Sequence, residues 1–212
     1  LANAGVCVVL SARRVRELED VAAEIESNGG HALVLPLNVV DARAMREAAS
    51  AIQARVGRLD IVIPCAGSDL ILPFDMMNPD KLGDALEANL VSALEMVRLS
   101  YKMLKASGQR EGEQGRIVFI ASAAAMRGWP ALAGYSAAKA GLLGAMRSLA
   151  AEWAPLRIRV NAVSPGMVKT PMQERLFARM PKAKSEELER AHPLGLGQAV
   201  DVANAALFLA SR

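Results

Sequence analysis

Tyr135 and Lys139 are the side chains in this sequence whose types and spacing best suit proton transfer. They lie four residues apart in the segment GYSAAKAG, and Tyr135 is one of only two tyrosines in the chain. On a helix this spacing places both residues on one face. A free phenol has a pKa near about 10, and a nearby ammonium favours its phenolate form. We therefore expect Lys139 to lower the pKa of Tyr135, so that the pair acts as a proton donor or acceptor.

Two further polar residues could join this pair. Ser122 ends the apolar run RIVFIAS thirteen residues before Tyr135, and Asn89 interrupts a segment rich in Ala, Leu and Glu. The Ser122 hydroxyl could hydrogen-bond a substrate oxygen, or it could satisfy backbone groups of its own loop. Asparagine is a poor helix former, so Asn89 has either a functional role or a place on a solvent-facing surface. The sequence leaves both alternatives open for both residues.

Short apolar runs alternate with longer segments of helical period along the chain. The strand-like runs cover residues 6–11, 31–37, 59–67, 116–122 and 157–166, and one long helix is expected from Pro79 to Lys105. This alternation predicts an α/β protein with a parallel sheet and helices on both faces, in three α/β/α layers. Such sheets bind ligands beyond the C-terminal ends of their strands, which directs attention to residues 11–14, 38, 65–67, 121–122 and 164–166.

Composition excludes several classes of protein. Hydrophobic residues make up 52% of the 212 residues and charged residues 22%, which is typical of a globular chain, here expected as one domain over 1–212. No basic run carries interleaved aromatic residues, and no apolar run is long enough to span a membrane. Cys7 and Cys65 lie in apolar runs without metal-ligand spacing. We expect two buried thiols in a reducing, cytoplasmic compartment, and no metal site.

Four motifs together resemble the short-chain dehydrogenase/reductase family. They are EANL with Asn89, GRIVFIAS with Ser122, YSAAK with Tyr135 and Lys139, and IRVNAVSPGMVKTPM, and the resemblance spans essentially the whole chain. It implies a Rossmann-type, doubly wound parallel sheet. It also implies hydride transfer between a nicotinamide cofactor and a ketone or secondary alcohol. The subgroup that the chain is most similar to is the 3-oxoacyl-acyl-carrier-protein reductase type, whose substrates are acyl thioesters.

The resemblance also implies a role for each catalytic candidate. Tyr135 would be the general acid/base, and Ser122 would orient and stabilise the substrate oxygen. Lys139 would hold the nicotinamide ribose and tune Tyr135, and Asn89 would anchor a water that relays protons to Lys139. The small residues of the YSAAK segment and Gly141 would let the cofactor and neighbouring backbone approach closely.

The expected cofactor is NADP in preference to NAD. Arg13 and Arg14 stand at a helix N-terminus, where cations oppose the helix dipole, and a 2′-phosphate would explain them. The alternative is surface pairing, as in Arg13–Glu17 and Arg16–Asp20, which have i,i+4 spacing. The resemblance assigns further cofactor contacts to Asn38, Val39, Ala66, Gly67, Pro165, Gly166, Val168 and Thr170, while Pro64 and Cys65 replace its usual Asn-Asn.

Two elements of the resembled family have no counterpart in the printed sequence. Its first strand with a glycine-rich loop is expected before Leu1, and its last strand is expected after Arg212. We therefore expect this chain to be part of a longer protein.

The resemblance places a substrate lid at about residues 171–193, a helical, charged segment flanked by prolines. An apolar pocket for an acyl chain or a cyclic ketone could be lined by Met126, Trp129, Met167, Met172 and Met180. Residues 139–153 are apolar on nearly every side, which predicts a helix buried on more than its sheet side. We expect a homotetramer in which this helix and the one through residues 89–105 pack against other copies.

Rival functions fit less well. A serine hydrolase would need a Gly-x-Ser-x-Gly elbow, and GYSAA fails at its last position, while His31 and His192 are the only candidate bases. A catalytically impaired cofactor-binding regulatory or scaffold protein on the same fold remains an alternative. The presence of all four residues, Asn, Ser, Tyr and Lys, argues against this alternative, because a binding module needs no Tyr/Lys pair.

Overall fold

Strands and helices alternate along the chain in the predicted order. The computed structural model describes residues 1–211. Its strands are β1 (Val8–Leu10), β2 (Ala32–Val34), β3 (Ile61–Val62), β4 (Gly115–Ile120) and β5 (Ile158–Val163). Its helices are α1 (Val15–Ser27), α2 (Ala42–Arg55), α3 (Pro79–Leu86), α4 (Ser92–Gly108), α5 (Ala133–Trp153), α6 (Pro171–Ala178), α7 (Lys182–Arg190) and α8 (Ala199–Ala210).

All strand pairs are parallel, as predicted for a Rossmann-type fold, but they form two sheets. β1 pairs with β2, and β4 lies between β3 and β5. A groove of about 190 Å³ separates β1 from β3 and is lined by residues that include Val9, Ile61 and Cys65.

The strands bordering the groove are much shorter than their apolar runs. The run 59–67 yields only Ile61–Val62, and its ladder within residues 1–211 is with β4. β4 is paired on both sides and reaches six residues. Within residues 1–211, β5 pairs on one side with β4 and is also six residues long. The apolar pattern therefore does not by itself set the length of a strand.

β4 forms the centre of the core. Ile117, Val118 and Phe119 are completely buried. On one face of the sheet, Leu104 of α4 and Leu142 of α5 join Ile117 and Phe119 in the main cluster. On the other face, Val118 packs with Ala206 and Ala210 of α8. The predicted three-layer arrangement is confirmed, and it fixes rigidly the strand that leads to Ser122.

The helix expected from Pro79 to Lys105 is interrupted by a π-helical turn over Glu87–Val91, between α3 and α4. Such turns insert an extra residue and occur often at functional sites. Asn89 lies at the middle of this turn and is 1% exposed, so it is not a solvent-facing asparagine.

The expectation of two buried thiols is wrong, since Cys7 and Cys65 are both exposed and reduced. Cys7 precedes β1 and Cys65 follows β3, so neither lies inside a paired strand. Within residues 1–211, none of the helices has the length and apolar content that a membrane crossing requires.

Candidate active site

Helix α5 carries Tyr135 and Lys139 on one face, as their spacing predicts. The helix begins at Ala133, so both residues lie in its first two turns. The Nζ atom of Lys139 lies 5.8 Å from the centroid of the Tyr135 ring. The ammonium therefore approaches the ring of the tyrosine, within the range of cation–π contacts.

Ser122 stands where the chain leaves β4. Its extended backbone precedes a short 3₁₀ turn, and its Oγ accepts a hydrogen bond from the Ala124 N–H at 3.2 Å. The same hydroxyl hydrogen-bonds the Tyr135 phenol and favours the phenolate. Of the two alternatives left open by the sequence, the bond to its own loop is present. Ser122 also faces Tyr135, and its hydrogen bond to a substrate oxygen stays a prediction.

Burial dominates the electrostatics of Tyr135. It raises the pKa of the phenol, the hydrogen bond with Ser122 lowers the pKa in part, and the negative charge of Asp69 raises it further. The predicted lowering of this pKa by Lys139 is therefore wrong for the protein alone. The physical reason is that desolvation penalises the phenolate more than its surroundings stabilise it.

Lys139 is buried, with 6% of its surface exposed. Its Nζ donates to the Ile120 carbonyl at the end of β4, at 2.9 Å. Burial lowers the pKa of Lys139, and the nearby Cys65 sulfur acts in the opposite sense.

Asn89 holds the loop that follows β3. Its Nδ2 donates to the Ala85 carbonyl at 3.0 Å, and its Oδ1 accepts from the Ser68 N–H at 3.1 Å. A Cβ atom added at Gly67 would lie 2.7 Å from Asn89 Oδ1 and 3.7 Å from Lys139 Nζ. Asn89 and Lys139 therefore both border Gly67, and the close approach of Asn89 requires glycine at this position.

Gly141 allows α5 to pack closely against a neighbouring element. A Cβ atom at this position would lie 2.8 Å from Cδ2 of Leu90, in the π-helical turn. The small residue thus brings α5 close to the turn that carries Asn89. Helix packing is enough to require a glycine here, and the approach of a cofactor to Gly141 stays a prediction.

The turn after β5 lies beside Ser122. The Ala123 N–H donates to the Pro165 carbonyl at 2.8 Å, and Gly166 is exposed with open space around it. Val168 forms a parallel bridge with Gly197, and Thr170 caps α6 through Gln173 N–H.

The predicted cofactor contacts Arg13, Arg14, Asn38 and Val39 lie across the groove, after the strands of the two-stranded sheet. The Leu37 N–H donates to the Ala12 carbonyl at 2.9 Å, which brings the ends of β1 and β2 together. Arg13 and Asn38 are exposed, Val39 is half-buried, and Ala66 lies after β3 on the other side. Arg14 pairs with Glu17 at 2.7 Å, so surface pairing occurs, but not in the expected i,i+4 register.

The proposed apolar pocket is not enclosed. Met126 is 71% exposed, while Trp129, Met167, Met172 and Met180 are half-buried. The Arg127 guanidinium lies 5.9 Å from the Trp129 ring centroid. Among residues 1–211, no cluster of His, Cys, Asp and Glu is suited to a metal ion.

The donor set fits a nicotinamide nucleotide. An ammonium has three N–H donors, and Lys139 directs one to the Ile120 carbonyl. The remaining donors, beside Tyr135 and at the C-terminal ends of β3 and β4, suit the hydroxyls of a ribose. Arg13 is an exposed cation suited to a phosphate.

Sequence reasoning missed three residues near this site. Ser68 and Asp69 directly follow Gly67, and Arg175 of α6 donates from Nε to Asp69 Oδ2 at 3.1 Å. The strand-end position of Ser68 and Asp69 could have singled them out. Nothing in the sequence links Asp69 to a residue 106 positions away.

Known proteins share this chain's sequence pattern over its whole length. The family model described as enoyl-(acyl carrier protein) reductase matches residues 1–212. The 3-oxoacyl-(acyl-carrier-protein) reductase FabG of Pseudomonas aeruginosa is 34% identical over 212 residues, covering 100% of this chain and 82% of the relative. A (-)-trans-carveol dehydrogenase of Rhodococcus erythropolis is 34% identical over 208 residues, covering 92% of this chain and 74% of the relative.

A similar fold occurs among solved structures. The gluconate 5-dehydrogenase of Burkholderia cenocepacia, in complex with NADP and tartrate, superimposes with a TM-score of 0.88 at 27% identity. The match covers 99% of this chain and 80% of that protein.

Proposed function

The chain belongs to the short-chain dehydrogenase/reductase family, and we propose that it is an NADP-preferring member that interconverts ketones and secondary alcohols. NAD(P)-dependent oxidoreduction of CH–OH and C=O groups is the family's chemistry. The observation that carries the proposal is the position of Tyr135 at the C-terminal end of β4, where its ring centroid lies 5.8 Å from Lys139 Nζ and Ser122 influences its phenol.

Each side chain has a task in this reaction. Ser122 hydrogen-bonds the substrate oxygen and stabilises the charge that develops on it. Tyr135 gives its O–H proton to that oxygen during reduction and takes it back during oxidation. Lys139 would bind the ribose hydroxyls and stabilise the phenolate, and Asn89 holds the neighbouring loop and would anchor a relay water. When bound, the nicotinamide supplies the hydride in reduction and accepts it in oxidation.

The state of Tyr135 favours reduction at neutral pH. Its pKa is raised by burial, so the phenol carries its proton and can donate it. Oxidation of an alcohol needs the phenolate, so its rate is expected to rise toward alkaline pH.

We propose that the substrate is a ketone whose remaining carbon skeleton is apolar, with a 3-oxoacyl thioester as the first choice. The Pseudomonas relative's name supports this class, and the Rhodococcus relative's name supports a cyclic ketone. Phe74 and Met76 are 66% and 61% exposed, and they offer apolar surface on a loop tied to Ala131 through Leu72. A thioester, a cyclic ketone and a keto acid of sugar type would form the assay panel.

NADP preference rests on Arg13 and Arg14 at the start of α1. Arg14 is the N-cap residue, forms no side-chain cap hydrogen bond, and engages Glu17 at the exposed surface. The NADP in the Burkholderia structure is a supporting parallel from a relative.

We also propose a homotetramer formed through α4 and α5, and a lid at about residues 171–193.

Cofactor preference is tested by comparing NADPH and NADH in the full-length protein and in Arg13→Ala. A charge-assisted contact contributes about 1.5–3 kcal/mol, so kcat/KM for NADPH should fall about 10- to 100-fold while that for NADH changes little. Arg16→Ala, three residues further along at the exposed start of α1, is the matched control and should keep the preference. Equal losses with both cofactors, or a wild-type preference for NADH, would show that the phosphate assignment is wrong.

A further inference from the structure

The segment between β5 and α8 begins and ends at neighbouring positions. Val168 and Gly197 form a parallel bridge, supported by hydrogen bonds from Lys169 N–H to the Gly197 carbonyl and from Gly197 N–H to the Met167 carbonyl. Between these ends lie α6 and α7, and of their residues, all of which the structure describes, Leu188 alone is buried. Such a segment is clamped at its base and has little apolar packing to fix its far part.

One ion pair links α6 to the loop beside the candidate site. Arg175 Nε lies 3.1 Å from Asp69 Oδ2, and the Arg175 and Asp69 side chains are 52% and 21% exposed. Asp69 follows Ser68, whose N–H is held by Asn89. The other ion pairs of the segment, Lys182–Glu186 and Lys184–Glu187, lie within α7.

Asp69 also acts on Tyr135. Its negative charge raises the pKa of the phenol, in addition to the larger effect of burial and against the hydrogen bond with Ser122. The other charged group that faces Tyr135 is Lys139, which Cys65 approaches in turn. A cation bound to Asp69 weakens the field of that carboxylate at the phenol.

We propose that Arg175 and Asp69 form a latch, which holds α6 against the loop beside Tyr135 and partly neutralises a carboxylate that acts on this tyrosine. Both are positioning residues, since each acts through another group and neither reaches the reacting atoms. The inference deepens the proposed function and rests on it. Displacement of α6 would break the pair, expose the phenol to the full charge of Asp69 and disfavour the phenolate.

The two halves of the latch should have opposite effects on the pH profile. Asp69→Asn removes the negative charge and leaves Arg175, so the pH midpoint of kcat/KM for alcohol oxidation should move down. Arg175→Gln leaves Asp69 unpaired, so the midpoint should move up. The double variant should return toward the wild-type midpoint. If the ion pair only held α6 in place, the two single variants would leave the pH midpoint unchanged or would both shift it in the same direction. Either result would overturn the proposal that the pair tunes the charge acting on Tyr135.

Hydrogen exchange of α6 tests the latch without any turnover. In the protein alone, Asp69→Asn changes a residue outside α6 and removes its ion pair with Arg175. It should speed exchange of the amides of residues 172–178 about two- to fivefold, the range expected for an ion pair of this exposure. Lys184→Gln breaks an ion pair inside α7 and is the matched control, with no change expected in α6. Unchanged α6 exchange in Asp69→Asn would overturn the latch, whereas absence of wild-type turnover with all carbonyls would overturn the proposed function and leave the exchange result standing.

Discussion

At the residue scale, spacing predicted which side chains meet, but not the balance of their electrostatics. Tyr135 and Lys139 share a helix face as predicted, and Ser122 reaches the phenol. The predicted direction of the shift in the pKa of Tyr135 was wrong. Charge and spacing can be read from a sequence, whereas burial, which raises this pKa, depends on the assembled fold. The Asp69–Arg175 pair was missed for a related reason, since its partners meet only through the tertiary path of the chain.

Replacement of Ser122 by alanine should slow turnover and shift its pH dependence. The variant loses a hydrogen bond that lowers the pKa of Tyr135, so this pKa rises and alcohol oxidation should need a higher pH than in the wild type. The loss of a donor to the substrate oxygen should also reduce kcat by about 10²-fold or more. Rates measured across pH test both effects.

Ser136→Ala is the control for that experiment. Ser136 follows Tyr135 in α5 but is not among the groups that shift the pKa of the phenol. It should therefore keep both the wild-type rate and the wild-type pH midpoint. If Ser122→Ala behaved in the same way, the role given to Ser122 would be contradicted.

At the element scale, the order and type of the elements could be predicted, and their ends and irregularities could not. The helix expected from Pro79 to Lys105 contains the π-helical turn around Asn89, which has no signature in the apolar pattern. The α1 stripe is only partly buried: Leu18 and Ala22 are buried, while Val15 and Val21 are 42% and 43% exposed. The apolar stripe of α1 predicts burial along its whole length, but the sheet formed by β1 and β2 is too small to cover all of it.

Helix α5 carries the prediction of self-association. Met146, Leu149 and Ala150 pack partly against the core, whereas Leu143, one turn before Met146, is half-buried and lies outside that cluster. We expect a tetramer at micromolar concentration in sedimentation velocity, and we expect Leu143→Glu to dissociate it, because a charge in an apolar interface loses its hydration.

Phe208→Glu is the matched control for this association. Phe208 is 76% exposed on α8, so it is also an apolar surface residue, but on a helix outside the proposed interface. It should leave the assembly intact. A wild-type protein that sediments only as a monomer would contradict the proposed tetramer.

At the scale of the whole molecule, the alternation of strands and helices was sufficient to predict a parallel α/β sandwich, and the structure confirms it. The division into two sheets could not be read from the apolar runs, because pairing depends on which strands become neighbours. As a result, Ser122 follows a strand of the three-stranded sheet and lies near Tyr135 of α5, whereas Arg13 and Asn38 follow the strands of the two-stranded sheet. The groove between them also accounts for the exposure of Cys65.

The most direct test of the account is NADPH consumption with a ketone by the wild type and by Tyr135→Phe, in the full-length protein. The change removes one hydroxyl and leaves the ring, so the fold should persist while turnover falls at least about 10²- to 10⁴-fold. Tyr101→Phe is the control, since the other tyrosine packs against Trp153 at 5.1 Å, away from the site, and should keep its activity. We expect selective loss of activity in Tyr135→Phe, and undiminished turnover in that variant would show that Tyr135 is not the general acid/base.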